Sequence, residues 1–312
     1  MDNLKKEISI LIPAYNESEN IEELIQKIDK LFLNSQYSNL YEIILINDAS
    51  NDDTEKKIKI IVSNIKNLKV INLKENVGKA YCLDLGINHS TGRIICTIDA
   101  DMQYDPEDFM TMLKLIYKGS DLVNGVREKR KDNILTKFFS KIYNFILSFL
   151  FSIRLKDFFC GIKVFKREIY ELMEYKGLAR FVIFFSKKYK FKINEISIKH
   201  SPREKGKTSY SFFDRIILSF KDIFTLFVCI ALEKKGLYQL KQIILILFFV
   251  TVLFLVSLKL FLSLSNDYIY VTFLLFFLFV ILNLIVNSFL KNKEKNITDL
   301  NMNIKSIIKS SD

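Results

Sequence analysis

The sequence predicts an α/β domain on a mostly parallel sheet, then interfacial amphipathic helices, then two C-terminal transmembrane helices. Three observations predict it. Short apolar runs alternate with helical repeats through the first half of the chain, the pattern of a parallel sheet with crossover helices. Polar and acidic clusters follow directly on those runs, at the strand ends where such sheets bind ligands. Finally, Gln242 to Leu290 is almost continuous apolar sequence.

Ile8 to Ile12 (ISILI) is an apolar run ended by Pro13 and fits a central parallel strand. Asn16 to Ser18 supply a helix start, and Ile21, Leu24, Ile25 and Ile28 recur at helical spacing. Tyr41 to Ile46 is the next strand, with Asn47-Asp48-Ala49-Ser50 at its carboxyl end. A helix from Asp53 to about Asn64 leads to a third strand, Lys69 to Leu73. Asn76-Val77-Gly78-Lys79 opens a helix through about Asn88, and Arg93 to Ile98 is the fourth strand. Asp121 to Val126 is a further strand ending at Arg127, and Lys192 to Ile198 a later one. Thr136 to Phe151 and Ser211 to Leu232 mix apolar residues with spaced charges, as amphipathic helices at an interface do.

Ile243 to Leu264 and Tyr268 to Leu290 are each long enough to cross a hydrocarbon core of about 30 Å as a helix. Lys259 lies near the end of the first span, where its ammonium can snorkel to the headgroups. Lysines flank the pair on both outer sides, and the connecting loop has none. The positive-inside rule then expects a multi-pass protein of the cytoplasmic membrane, with the large domain and both termini cytoplasmic. Met1 to Glu7 is charged, and no signal peptide is expected there. The domains expected are 1–210, a juxtamembrane region 211–241, a membrane hairpin 242–290, and a polar, mobile tail 291–312.

The net charge of +11 raises nucleic acid as a partner, but base-stacking motifs, a recognition helix and zinc spacing are all missing. Basic residues gather at 127–141, 187–192 and 199–207 beside aromatics. Near a bilayer such patches meet anionic headgroups or phosphates. Cys82, Cys96, Cys160 and Cys229 lack metal-ligand spacing and lie in apolar contexts, as reduced buried thiols do. His89 sits away from the motifs; His200 lies in a basic segment and reads as a turn residue.

The chemistry concentrates at Ile94 to Glu107 (IICTIDADMQYDPE). Asp99 and Asp101 leave the strand two residues apart, so both carboxylates project from one face. Like charges held that close repel unless a cation lies between them. Oxygen-only ligands suit Mg²⁺ or Mn²⁺, which also bind phosphate oxygens. The plainer alternative is an Asp-rich turn capping the helix begun by Pro106-Glu107-Asp108.

Taken together, Ile12-Pro13-Ala14-Tyr15-Asn16-Glu17, Asn47-Asp48-Ala49-Ser50, Asn76-Val77-Gly78-Lys79 and Asp99-Ala100-Asp101-Met102-Gln103 resemble the motif order of family 2 glycosyltransferases of the Rossmann-like GT-A fold. Gly125-Val126-Arg127, Lys137, Ser140, Asp157 to Arg167 (DFFCGIKVFKR) and Arg203 to Tyr210 (REKGKTSY) are similar to the polyprenyl-phosphate branch, which includes dolichol-phosphate mannose synthases and bacterial undecaprenyl-phosphate sugar transferases. The resemblance covers about Ile8 to Leu290, including a C-terminal pair of membrane helices.

It implies an inverting transfer from a nucleotide-diphosphate sugar, UDP favoured over GDP, to polyprenyl (undecaprenyl) phosphate. Asp99, Asp101 and Gln103 would hold Mg²⁺ or Mn²⁺ on the leaving diphosphate. Pro13, Tyr15, Glu17, Asp48, Lys79, Asp99 and Ala100 would form the nucleotide-sugar site. Arg127, Lys137, Ser140, Arg203 and Lys207 would orient the acceptor phosphate, and Asp157 with Arg127 would serve catalysis. Plainer roles stay open: a helix-dipole charge for Glu17, a surface lysine at 79, a turn residue at 103, bilayer-facing charge for the acceptor residues, and a structural carboxylate at 157. The family usually has two aspartates where this chain has Asn47-Asp48 and a glycine where it has Ala49, so the first substitution keeps a polar group and removes a charge. The product would feed envelope glycan assembly, and a homo-oligomer is compatible with the reading. The rival readings are a membrane-anchored transferase extending a glycan or lipid-linked oligosaccharide, and a non-catalytic membrane scaffold.

Overall fold

Leu24, Ile25, Ile28 and Phe32 fall on one stripe of a helix, and that stripe decides where the first helix packs. In the computed structural model, α1 (Ile21–Leu33) buries all four together with Ile21 against one face of the sheet. Burial of each such side chain contributes about 1.5–3 kcal/mol. The structure describes residues 6–128, 155–173, 179–203 and 303–309, with the single positions 144, 148 and 153. The chain divides into two compact units, Met1–Tyr210 with Asn296–Asp312, and Ser211–Lys295. The expected helices at 136–151, 211–232, 243–264 and 268–290 lie outside the described residues, apart from positions 144 and 148. Among the described residues no helix is long and apolar enough to cross a membrane.

The apolar runs form β1 (Ile8–Ala14), β2 (Tyr41–Asn47), β3 (Leu68–Leu73) and β4 (Ile94–Thr97). The intervening helices are α2 (Thr54–Val62), α3 (Lys79–Asn88) and, after β4, α4 (Asp108–Tyr117). β1 pairs in parallel with β2 on one side and β4 on the other, and β2 with β3. α3 lies on the opposite face from α1, where Gly86 approaches Leu11 and Ile46 so closely that a Cβ would sit 3.0 Å from Ile46 Cδ1.

Pro13 does not end β1, which runs on to Ala14 with Pro13 opposite Ile46. The pairing with β4 stops at Leu11 and Thr97. Pro13, two residues beyond Leu11, turns its nitrogen to the β4 side, where the strand pairing has already ended, so the missing N–H costs no ladder bond. α1 starts at Ile21, later than Asn16 to Ser18 would suggest. Asn16 takes a left-handed φ of 56° and belongs to a loop, not to a helix cap.

After β5 (Leu122–Glu128) comes β6 (Lys163–Lys166), an element the composition does not announce. It inserts antiparallel between β4 and β5. Two short helices follow, α5 (Arg167–Glu171) and α6 (Val182–Lys188), and then β7 (Ile193–Lys199), parallel to β5. The tail expected to be mobile contains β8 (Ile304–Lys309), antiparallel to β3. The sheet order is β7-β5-β6-β4-β1-β2-β3-β8, a mixed sheet in which β6 is an antiparallel insertion and β8 an antiparallel edge strand. On β8, Lys305 and Lys309 flank the exposed Ile307, and charges of this kind blunt an open strand edge.

Candidate functional site

Pro13 and Tyr15, Asp48, and Asp99 to Gln103 stand at or just past the carboxyl ends of β1, β2 and β4, Lys79 starts α3, and Arg127 lies near the end of β5. The β1 and β2 ends are stitched together. Asp48 N–H donates to Ala14 O (2.9 Å), Asn16 N–H to Ser50 Oγ (3.0 Å), and Asn51 N–H to Asn16 Oδ1 (2.9 Å). Glu17 N–H donates to Thr54 Oγ1 (3.0 Å), and Glu17 Oε2 accepts from Asn20 Nδ2 (2.8 Å). Ala49, where the family usually has glycine, takes a φ of 55°, a strained conformation for a residue with a Cβ.

Asp48 is buried, and its two oxygens accept from the backbone amides of Val77 (2.8 Å) and Gly78 (2.9 Å). It thereby ties the turn that starts α3 to the end of β2. Burial pushes its carboxyl above the ordinary range, against the pull of those two amides. Lys79 follows at the first position of α3, and its ammonium is ion-paired to Asp99 Oδ1. It therefore neutralises a carboxylate in this structure instead of standing free for phosphate.

Asp99 and Asp101 follow β4 two residues apart, and Asp101 feels the charge of Asp99. Burial, followed by the neighbouring Asp99 charge, pushes the Asp101 carboxyl up to about 6. Asp99 moves the other way: burial would raise it, but Lys79, Lys163 and Arg127 hold it below its ordinary value. Asp101 Oδ1 accepts from Gln103 N–H (3.3 Å), and Gln103 Nε2 donates to Ser201 O (3.3 Å). The loop is closed by Gly161, whose N–H donates to Tyr104 Oη (3.0 Å); a Cβ on Gly161 would collide with the Asp99 carboxylate.

Among the described residues no group of three or more His, Cys, Asp or Glu gathers to hold a metal. Two carboxylates and an amide oxygen nevertheless make an all-oxygen donor set for a hard divalent ion. Asp99 already holds one cation, the Lys79 ammonium, in this structure. The residues fit such an ion, with further ligands from a bound diphosphate.

Arg127, at the end of β5, and Asp157 form a bidentate pair, Nε to Oδ2 at 2.6 Å and Nη2 to Oδ1 at 2.9 Å. Burial would raise Asp157, but Arg127 outweighs it and keeps the carboxyl below its ordinary range. That favours an orienting anion over a proton donor at neutral pH. Arg203 is ion-paired to Glu17, which joins a predicted acceptor residue to a predicted donor residue. Lys137, Ser140 and Lys207 lie outside the described residues. Tyr15 and Pro13 line the same edge, and Ala100 is buried between the two aspartates. His200 forms a bridge with Tyr104 and meets its ring edge-on at 5.2 Å. Cys82, Cys96 and Cys160 are buried and free; Cys229 is outside the described residues.

Sequence reasoning missed Lys163. It is buried on β6, donates to Cys160 O, and burial lowers its ammonium to about 8. The signal was a lysine standing between Ile162 and Val164 in an otherwise apolar run.

The family model described as Glycosyl transferase family 2 matches residues 9–173, more than half of the chain. The chain belongs to glycosyl transferase family 2. Similar proteins include undecaprenyl-phosphate 4-deoxy-4-formamido-L-arabinose transferases. That of Klebsiella pneumoniae (strain 342) is 29% identical over 217 residues, 69% of this chain and 66% of the relative. That of Salmonella choleraesuis (strain SC-B67) is 30% identical over the same shares. The match thus spans just under two thirds of those relatives. The fold is shared with glucosyl-3-phosphoglycerate synthase from Mycobacterium tuberculosis in complex with uridine diphosphate, at a TM-score of 0.55 and 18% identity, covering 72% of this chain and 80% of that one. A second structure of that enzyme, with Mn²⁺, uridine diphosphate and phosphoglyceric acid, gives a TM-score of 0.55 at 19% identity, covering 72% and 78%.

Proposed function

We propose that this family 2 enzyme transfers a sugar from a nucleotide-diphosphate sugar, UDP-linked in preference to GDP-linked, to the phosphate of a membrane polyprenyl phosphate. One observation carries the reading. Asp99 and Asp101 face Lys79, Lys163, Arg127 and Arg203 around a single sheet edge, where a diphosphate and a phosphate could lie side by side. The name of the relatives matched over 217 residues supports undecaprenyl phosphate as the acceptor class.

Asp99, Asp101 and Gln103 would hold Mg²⁺ or Mn²⁺, which when bound would neutralise the leaving diphosphate. Pro13, Tyr15, Glu17 and Asp48 shape the nucleotide end, and Lys79 moves from Asp99 to the diphosphate as the donor enters. The acceptor oxygen is already ionised near neutral pH and needs positioning more than deprotonation. Arg127, held in place by Asp157, and Arg203 orient that phosphate, with Lys137, Ser140 and Lys207 assisting. Attack opposite the leaving diphosphate inverts the anomeric centre, and no covalent enzyme intermediate is needed.

The reaction belongs at the cytoplasmic leaflet of the inner membrane, with Ile243 to Leu264 and Tyr268 to Leu290 as two spans. The placement of β8 supports an even number of crossings, because strands on both sides of the apolar segment share one sheet. Radiolabelled UDP-sugars offered with polyprenyl phosphate, Mn²⁺ and the full-length chain test the proposal. A labelled lipid product that disappears with Asp99→Asn is expected. Label appearing only on a glycan acceptor would favour the glycan-extending alternative.

A further inference from the structure

We propose that the C-terminal strand is a working part of the donor site, with Ser306 and Asn72 as positioning residues for the loop that receives the nucleotide. The inference rests on the donor reading above. Asn72 on β3 lies opposite Ser306 on β8, and Asn72 Nδ2 donates to Ser306 Oγ at 3.1 Å. Asn72 Oδ1 accepts from Asn47 Nδ2 at 2.9 Å, and Asn47 Oδ1 accepts from Ser50 N–H at 3.1 Å. Ser50 Oγ then accepts from Asn16 N–H, which reaches the β1 loop beside Tyr15 and Glu17.

Asn47 and Asn72 are each 1% exposed. Both ends of the Asn47 amide are thus engaged inside the protein, so it acts on a ligand only through the loop it holds. Asn47 donates to the Asn72 side-chain carbonyl and accepts from the Ser50 amide, so its single side chain links β3 to the loop after β2. Buried polar chains of this kind are rigid when every member is satisfied and costly when one is removed. Removing the hydroxyl at 306 leaves the Asn72 amide without its partner, and the disturbance passes to Ser50, Asn51 and Asn16 at the pocket mouth.

The test is steady-state kinetics and UDP binding of the full-length chain in lipid nanodiscs. Ser306→Val is expected to raise donor KM and the UDP Kd about tenfold, with acceptor KM unchanged and kcat within about twofold. Ser306→Ala should do the same should the valine variant fail to fold. Ser306→Thr, which keeps the hydroxyl, restores donor KM. Lys305→Gln, which breaks the neighbouring surface ion pair with Glu55, leaves it unchanged. Donor KM of the Val and Ala variants within twofold of wild type, an equal rise in acceptor and donor KM, or no rescue by threonine each overturns the inference while leaving the donor reading intact. A wild-type chain that binds no UDP removes both.

Discussion

Arg127 grips Asp157 through two parallel hydrogen bonds, and their side chains are only 16% and 8% exposed. A buried pair like this contributes little net stability when intact, yet breaking it from one side is expensive. Arg127→Ala strands an anion in the interior and is expected to cost on the order of 3–5 kcal/mol. Arg127→Ala combined with Asp157→Ala should recover a large part of that loss. Thermal melts of the two variants check this; equal destabilisation would show that the charge left behind is not what costs.

The neighbouring aspartates of the β4 loop should answer pH in opposite directions. Asp101 has its carboxyl raised to about 6, so its contribution to stability is fully present below the unfolded value and lost as pH rises through about 6. Asp101→Asn is therefore expected to stabilise the metal-free protein at pH 7.5 by about 1–2 kcal/mol, with the gain fading as the pH falls. Asp99, held low against its burial, contributes stability present above the unfolded value and lost as pH falls through its depressed one. Asp99→Asn destabilises at pH 7.5. Melting curves of both variants between pH 4 and pH 8 in EDTA distinguish the two signs.

Lys79, ion-paired to Asp99, is expected to compete with a divalent ion for that carboxylate. Taking away the ammonium should tighten Mn²⁺ binding to the nucleotide-free protein at pH 7.5, by about fivefold for Lys79→Met, since one repelling charge is gone. The same variant should bind UDP more weakly. Calorimetric titration with Mn²⁺ alone and then with UDP reads both effects, and weaker Mn²⁺ binding would remove the competition argument.

Ala49→Gly should stabilise the protein by about 1 kcal/mol, because glycine adopts the left-handed φ of 55° without a Cβ clash. A lower melting temperature for this variant would show that the Ala49 methyl group contributes more through packing than its conformation costs.

The parallel half of the sheet was legible because β1, β2 and β3 are written as short, mostly apolar runs with polar clusters after them. The Asp99–Asp101 pair was legible as two carboxylates just past an apolar strand, but β4 ends at Thr97 and Asp101 lies in a turn, so strand periodicity does not extend to them. β6 was hidden by its length of four residues and by the two lysines that begin and end it. β8 was hidden because IKSIIK alternates as an edge strand does and stands in a polar tail. Each site cation was visible as a residue type, but not its partner. Arg127 and Asp157 are 30 residues apart, and Arg203 and Glu17 are 186 apart. No local pattern encodes pairings set by how loops meet over a sheet edge.

The pairing of β8 with β3 also dictates a schedule. Asn72 and Ser306 are separated by 234 positions, so a ribosome adding about 5–20 residues per second leaves the outer edge of β3 bare for on the order of 10–50 s. During that interval the nascent sheet offers unsatisfied backbone groups to any neighbouring polypeptide, while the apolar stretch is still being made. β8 can pair with β3 only after the stretch between them has emerged, so the contact between Asn72 and Ser306 forms late relative to the pairing of β1, β2 and β3.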